Sequence, residues 1–205
     1  MINLSLDAST TCTGWSIFDD DVLIDYNKIK PTILKLEWRD RIINMIPQLH
    51  EIMKEYKPKK IYCEDVPLMD KRGKLTLVQL GAVQGSIIGA SSFHNIETEF
   101  INVGTWRKDI GLYDGTESGK ERDNLKAHSI ELANKLFGLD LNCIYTKSGN
   151  YNSDKSDDDI SDCILMYAST REKYKVHKEK KEKIRTVENL NRRILKWEYP
   201  KTIQH

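Results

Sequence analysis

The sequence predicts an α/β fold, a mixed five-stranded sheet with helices on both faces. Three short strand-like runs separated by turns open the chain, and beyond Pro31 helix and strand patterns alternate to about residue 168. Size sets a further bound. At 205 residues, 39% hydrophobic and 31% charged, the chain suffices for one domain with a sizeable core and a short appendage.

Residues 2–6 alternate and end at Asp7, a first strand. Ser9-Thr10-Thr11 and Gly14 form a turn, residues 15–18 a second strand, Asp19-Asp20-Asp21 the next turn, and residues 22–29 a third strand, completing a meander. From 33 to 56, Leu36, Ile42, Ile43, Ile46, Leu49, Ile52 and Met53 recur at helical spacing, with Pro47 an expected kink. Residues 61–63 make a short strand that runs into Glu64-Asp65. After a basic loop, 71–74, an apolar helix spans 75–91 and carries the small residues Gly81, Ala82, Gly85, Gly89 and Ala90. Residues 97–103 read as a strand, Thr105 opens a short helix ended by Gly111, and 120–137 is a basic amphipathic helix closed by Gly138. Residues 142–158 read as a mobile polar loop, and a last helix covers 159–168. Residues 1–170 therefore form one domain, and 171–205 a basic helical extension.

Composition excludes several classes. No run of about 18 apolar residues predicts a membrane span, and the N-terminus lacks the basic and apolar regions of a signal peptide. Cys12, Cys63, Cys143 and Cys163 are far apart with no C-x-x-C pair, which argues against a zinc ribbon and for reduced, structural thiols in a cytoplasm. The net charge of +1 is an average of unlike parts. Residues 171–205 hold twelve of the 32 Lys/Arg and five of the 31 Asp/Glu, a net of +7, which leaves −6 on residues 1–170. In the extension Ile184, Val187, Leu190, Ile194 and Trp197 form an apolar stripe for packing, and the opposite face is expected to grip DNA.

The acids carry the chemistry. Asp7 and Glu64 end two central strands, where open α/β sheets place their ligands. Asp159 and Asp162 lie three apart at the start of a helix and share a face, and Asp158 could substitute for Asp159. Taken singly, each reads as a turn or a helix cap. Together they cannot all stay ionised without cations, and carboxylates with no His or Cys suit Mg2+ or Mn2+. Two such ions form a phosphodiester hydrolysis site.

The ordered set resembles the RuvC family of Holliday-junction resolvases, within the ribonuclease H-like superfamily. Leu4-Ser5-Leu6-Asp7-Ala8-Ser9 with Thr13-Gly14-Trp15-Ser16-Ile17 looks like its first motif. Ile61-Tyr62-Cys63-Glu64-Asp65-Val66 looks like its second, Leu80-Gly81-Ala82-Val83-Gln84-Gly85 like its dimer-interface helix, and Asp159-Ile160-Ser161-Asp162 like its closing D-x-x-D, over residues 2–168. The resemblance implies a ribonuclease H-like fold, with Asp7, Glu64, Asp159 and Asp162 as catalytic residues and ligands of two Mg2+ ions, replaceable by Mn2+. It also implies a homodimer cutting two strands of a four-way junction and leaving 5′-phosphate and 3′-hydroxyl ends. Arg72, Lys74, Arg107, Lys108, Lys120 and Lys126 are the basic candidates for holding DNA. Pro67-Leu68-Met69 stands where bacterial members place a stacking aromatic. That departure implies a divergent, phage-type form accepting forks and flaps as well, acting in a bacterial or phage-infected cell. Two other readings compete. Asp7-Ala8-Ser9-Thr10-Thr11 also resembles the first phosphate motif of sugar kinases and actin-like ATPases, but the chain is short for two lobes and has no second phosphate loop. A non-catalytic DNA-binding relative would not need all four acids.

Overall fold

The computed structural model describes residues 1–33, 35–66, 73–113 and 121–176. Strands β1 (Ile2–Ala8), β2 (Thr13–Asp19) and β3 (Val22–Ile29) form the antiparallel meander, and β4 (Lys60–Glu64) and β5 (Glu97–Ile101) join in parallel. The sheet order is β3-β2-β1-β4-β5. The predicted mixed five-stranded sheet is therefore present.

Helices α1 (Trp38–Tyr56) and α2 (Lys74–Phe93) cover one face, packing Leu49, Met53, Val83 and Ile87 against Leu4, Leu6, Ile17 and Ile61. Helices α3 (Val103–Asp109), α4 (Arg122–Phe137) and α5 (Asp158–Ser169) cover the other, with Trp106, Ile130, Ile164 and Tyr167 around Phe18. The period of two along β1 sends Leu4 and Leu6 to the first layer and Asn3, Ser5 and Asp7 to the second. There Ser5 Oγ donates to the Cys163 carbonyl at 2.7 Å and Asn3 Nδ2 to Tyr167 Oη at 3.1 Å, so these two polar side chains are satisfied beneath a buried helix.

Two of the boundaries that differ from the sequence reading have a clear local reason. Helix α1 begins at Trp38 because the preceding segment folds back along it: Asn44 Oδ1 accepts from Thr32 N at 2.7 Å, and Gln48 Nε2 donates to the Lys30 carbonyl at 3.0 Å. It then continues unbroken through Pro47. Strand β5 stops at Ile101 because Asn102 caps α3, accepting from Gly104 N and Thr105 N at 2.9 and 3.2 Å. The polar loop before α5 is internally bonded. Tyr145 bridges Tyr151, and buried Ser156 accepts from Ile144 N at 2.9 Å and donates to the Asn152 carbonyl at 2.8 Å.

By its contacts the chain separates into Met1–Lys175 and Val176–His205. The stripe expected in the extension, 184–197, lies outside the described residues with most of the extension's cations; of the rest, Arg171 and Lys173 pair with Asp21 and Lys175 with Glu172. Pro67-Leu68-Met69, Arg72 and Lys120 also lie outside the described residues. No helix among the described residues is long and apolar enough to cross a membrane.

Candidate nuclease site

The four predicted acids line one cavity of about 900 Å³. Sheet register explains the first pair. Parallel pairing sets Leu6 beside Cys63, so Asp7 and Glu64 follow at adjacent strand ends and face the α3–α5 layer. Gly14 brings in the second pair. It lies opposite Asp7 in the β1–β2 ladder, and a Cβ there would sit 1.9 Å from the Asp159 carbonyl oxygen. Only glycine lets the first turn of α5 rest on β2, which carries Asp159 and Asp162 to the strand ends.

Glu64, Asp162 and Asp158 are held by named partners. Trp106, wholly buried, donates Nε1–H to Glu64 Oε2 at 3.1 Å, and Gln84 Nε2 donates to the Glu64 carbonyl at 3.0 Å. Asp162, 6% exposed, pairs with Arg107 Nη2 at 3.2 Å and accepts from Ser129 Oγ. Asp158, 2% exposed, pairs with Lys126 and accepts from Tyr151 Oη at 3.0 Å. Burial pushes up the pKa of Cys12, as expected of an inert cysteine. All four cysteines are free.

Burial first, then Glu64, Asp162 and Asp159, push the Asp7 carboxyl well above its ordinary value of 3.8, against the pull of Arg107. Burial also raises Asp159 and Asp162, against the Cys12 hydrogen bond in one case and Arg107 in the other. An acid raised in the folded state binds more protons folded than unfolded. Its contribution to stability therefore falls as pH rises from its ordinary value through the raised one. Chelator-treated Asp7→Asn protein is accordingly expected to melt above the parent at pH 8, the gap closing toward pH 4. A gap that thermal melts show to be independent of pH would overturn this account.

The lining includes seven carboxylates, the four plus Asp65, Asp154 and Asp158, against five cations: Lys30, Arg41, Arg107, Arg122 and Lys126. An oxygen-only acid set with excess negative charge fits a hard divalent cation in its chemistry. As placed, no three Asp, Glu, His or Cys side chains among the described residues stand close enough to enclose one. Arg107 and Lys126 instead neutralise two of the acids. Of the other basic candidates, Lys108 and Lys74 are exposed and do not line the cavity. Sequence reasoning missed Trp106, Ser129 and Arg122. Arg122, Leu125, Lys126 and Ser129 repeat at i, i+3, i+4 and i+7, a legible signal of one shared helix face.

No family model and no curated protein matches the sequence. Among solved structures, T. thermophilus RuvC in complex with a Holliday junction substrate matches with a TM-score of 0.57 at 12% identity, over 84% of this chain and 97% of that one. The Thermus thermophilus RuvC structure matches at 0.55 and 13%, over 85% and 98%. The chain has a ribonuclease H-like fold. Fowlpox virus resolvase with its Holliday junction DNA matches at 0.49 and 16%, over 83% and 98%. Within the ribonuclease H-like fold, the cavity lies at the C-terminal ends of β1 and β4, where the sequence reading put the site.

Proposed function

We propose that this chain is a metal-dependent, structure-selective endodeoxyribonuclease that cuts Holliday junctions and other branched DNA as a homodimer, in a bacterial or phage-infected cell. The observation that carries the reading is the convergence of Asp7, Glu64, Asp159 and Asp162 on one cavity rimmed by cations. Among Asp158 and Asp159, the latter is the better ligand candidate: it raises Asp7 electrostatically, whereas Asp158 is paired with Lys126.

Two Mg2+ ions, or Mn2+, bound by these four residues would activate water and stabilise the leaving 3′-oxygen. The chain's own groups prepare that chemistry. Trp106 and Ser129 orient Glu64 and Asp162, and Arg107 and Lys126 stand beside the acids as cations for the scissile phosphate. The bond broken is P–O3′, so the products carry 5′-phosphate and 3′-hydroxyl ends.

The test is a panel of four-way junction, fork, flap and linear duplex DNAs with each metal. Paired nicks across the junction, with duplex spared, are expected. Equal cutting of linear duplex would remove the selectivity claim, and no cutting of any substrate would remove the nuclease claim.

The outward face of α2 supports a dimer. Leu75, Val78 and Ile88 are exposed there, and a Cβ added at Gly81, Gly85 or Gly89 meets no atom within 4 Å. An apolar, small-residue stripe on one face suits close packing of a second copy. Light scattering should give a dimer at micromolar concentration, and Val78→Asp with Ile88→Asp should give a monomer that makes unpaired nicks. A monomeric parent would refute paired incision.

A further inference from the structure

Two cavity-lining cations have no part in the site derived above. Lys30 follows the last residue of β3, and Arg41 lies in the first turn of α1. Arg41 belongs to the α1–α2 side of the sheet and Lys30 has its carbonyl held by Gln48 of α1, whereas Arg107, Arg122 and Lys126 come from α3 and α4 on the other side. The cavity at the sheet end is thus lined by cations from both helical layers, Arg41 of α1 and Arg107, Arg122 and Lys126 of α3 and α4, and by Lys30 at the end of β3.

Nothing inside the described protein accounts for the first pair of cations. Arg107 and Lys126 are each paired to a site acid, but among the described residues neither Lys30 nor Arg41 has an ion-pair partner. Arg41 Nε is buried without a hydrogen-bond acceptor, an expensive arrangement for a charged donor. Its place in a first helical turn also sets a positive side chain against the positive end of the helix dipole. The backbone beside it is fixed, because Gln48 and Asn44 of α1 hold the Lys30 carbonyl and the Thr32 amide. Fixed, unpaired cations beside a polar cleft suit an anion supplied from outside, and a planar guanidinium with a free Nε–H suits a phosphate in particular.

We infer that Lys30 and Arg41 form a second phosphate-holding wall. They grip the backbone of the cut strand on the side of the scissile phosphate opposite to Arg107, Arg122 and Lys126. This rests on the nuclease reading above and adds to it a contact from α1 and β3. The strand would then be held on both sides of the cut, which fixes the reacting phosphate over the acids rather than merely near them.

The test uses the full-length Asp7→Asn protein, which should bind without cutting, and a four-way junction titrated across a range of NaCl concentrations. Adding Lys30→Ala and Arg41→Ala should weaken binding about tenfold or more and lower the slope of log K against log salt by roughly 1.5, near 0.7–0.9 for each lost phosphate contact. Arg41→Lys should restore part of that slope. An equal charge removal by Arg39→Ala and Lys59→Ala, exposed residues outside the cavity, should leave it nearly unchanged. Neutral methylphosphonates placed on one side of the cut should weaken binding of the Asp7→Asn protein but add nothing to the Lys30/Arg41 variant. Junction binding with unchanged slope and affinity in that variant overturns this inference alone. Failure of the Asp7→Asn protein to bind DNA at all overturns the nuclease reading and this inference with it.

Discussion

Asp7→Asn is expected to abolish junction cleavage while leaving junction binding intact. Asp7 lies where burial and three other carboxylates press on one group, so a bound cation would relieve it strongly. Losing one such ligand removes several kcal/mol of charge stabilisation, and 4 kcal/mol corresponds to about 10³-fold in rate. Asn keeps the shape and can still hydrogen-bond, so the DNA contacts proposed for Arg107, Arg122 and Lys126 should persist. Single-turnover cleavage beside a gel-shift titration checks both halves. Wild-type cutting by Asp7→Asn would show that the metal site lies elsewhere.

Gly14→Ala is expected to be the most damaging substitution that removes no functional group. Its Cβ would overlap the Asp159 carbonyl, and that obstacle is helix backbone rather than a side chain that can turn aside. Relief requires α5 to lift off β2. Overpacking of this kind costs about 3 kcal/mol. For a chain of this length that lowers Tm by roughly 6–12 °C. The displaced helix carries Asp159 and Asp162, and a shift near 1 Å can cost about 10²-fold in rate. Calorimetry and cleavage kinetics on the same protein test the two effects together. Parental Tm and rate would mean that this close approach does not position the acids.

The two variants separate charge from placement. Asp7→Asn should lose activity and gain stability in chelator at pH 8. Gly14→Ala should lose both, because it leaves the carboxylates intact but moves them apart.

Much of the candidate site is legible in the sequence. The alternation of Leu4 and Leu6 with Ser5 and Asp7 assigns a face to each side chain, and the Asp159–Asp162 spacing puts two acids on one helix face. Legibility stops where partners come from remote segments. Within Trp106-Arg107-Lys108 the sequence offers two cations of equal standing. The orientation of α3 buries Trp106 against Glu64, turns Arg107 to Asp162 and leaves Lys108 in solvent. Arg41 looks like any other charge on an amphipathic helix until α1 is packed on the sheet.

The sequence by itself determined the order of strands and helices, the four acids and the uneven charge behind a net of +1, because periodicity, turn residues and composition are local properties. The tertiary structure alone decided which cations meet those acids, that Asp158 pairs with Lys126, and that one glycine governs the approach of α5. Those outcomes depend on sheet register and on the phase at which each helix lands, and both are set by packing between residues far apart in sequence, Leu6 with Cys63 and Gly14 with Asp159.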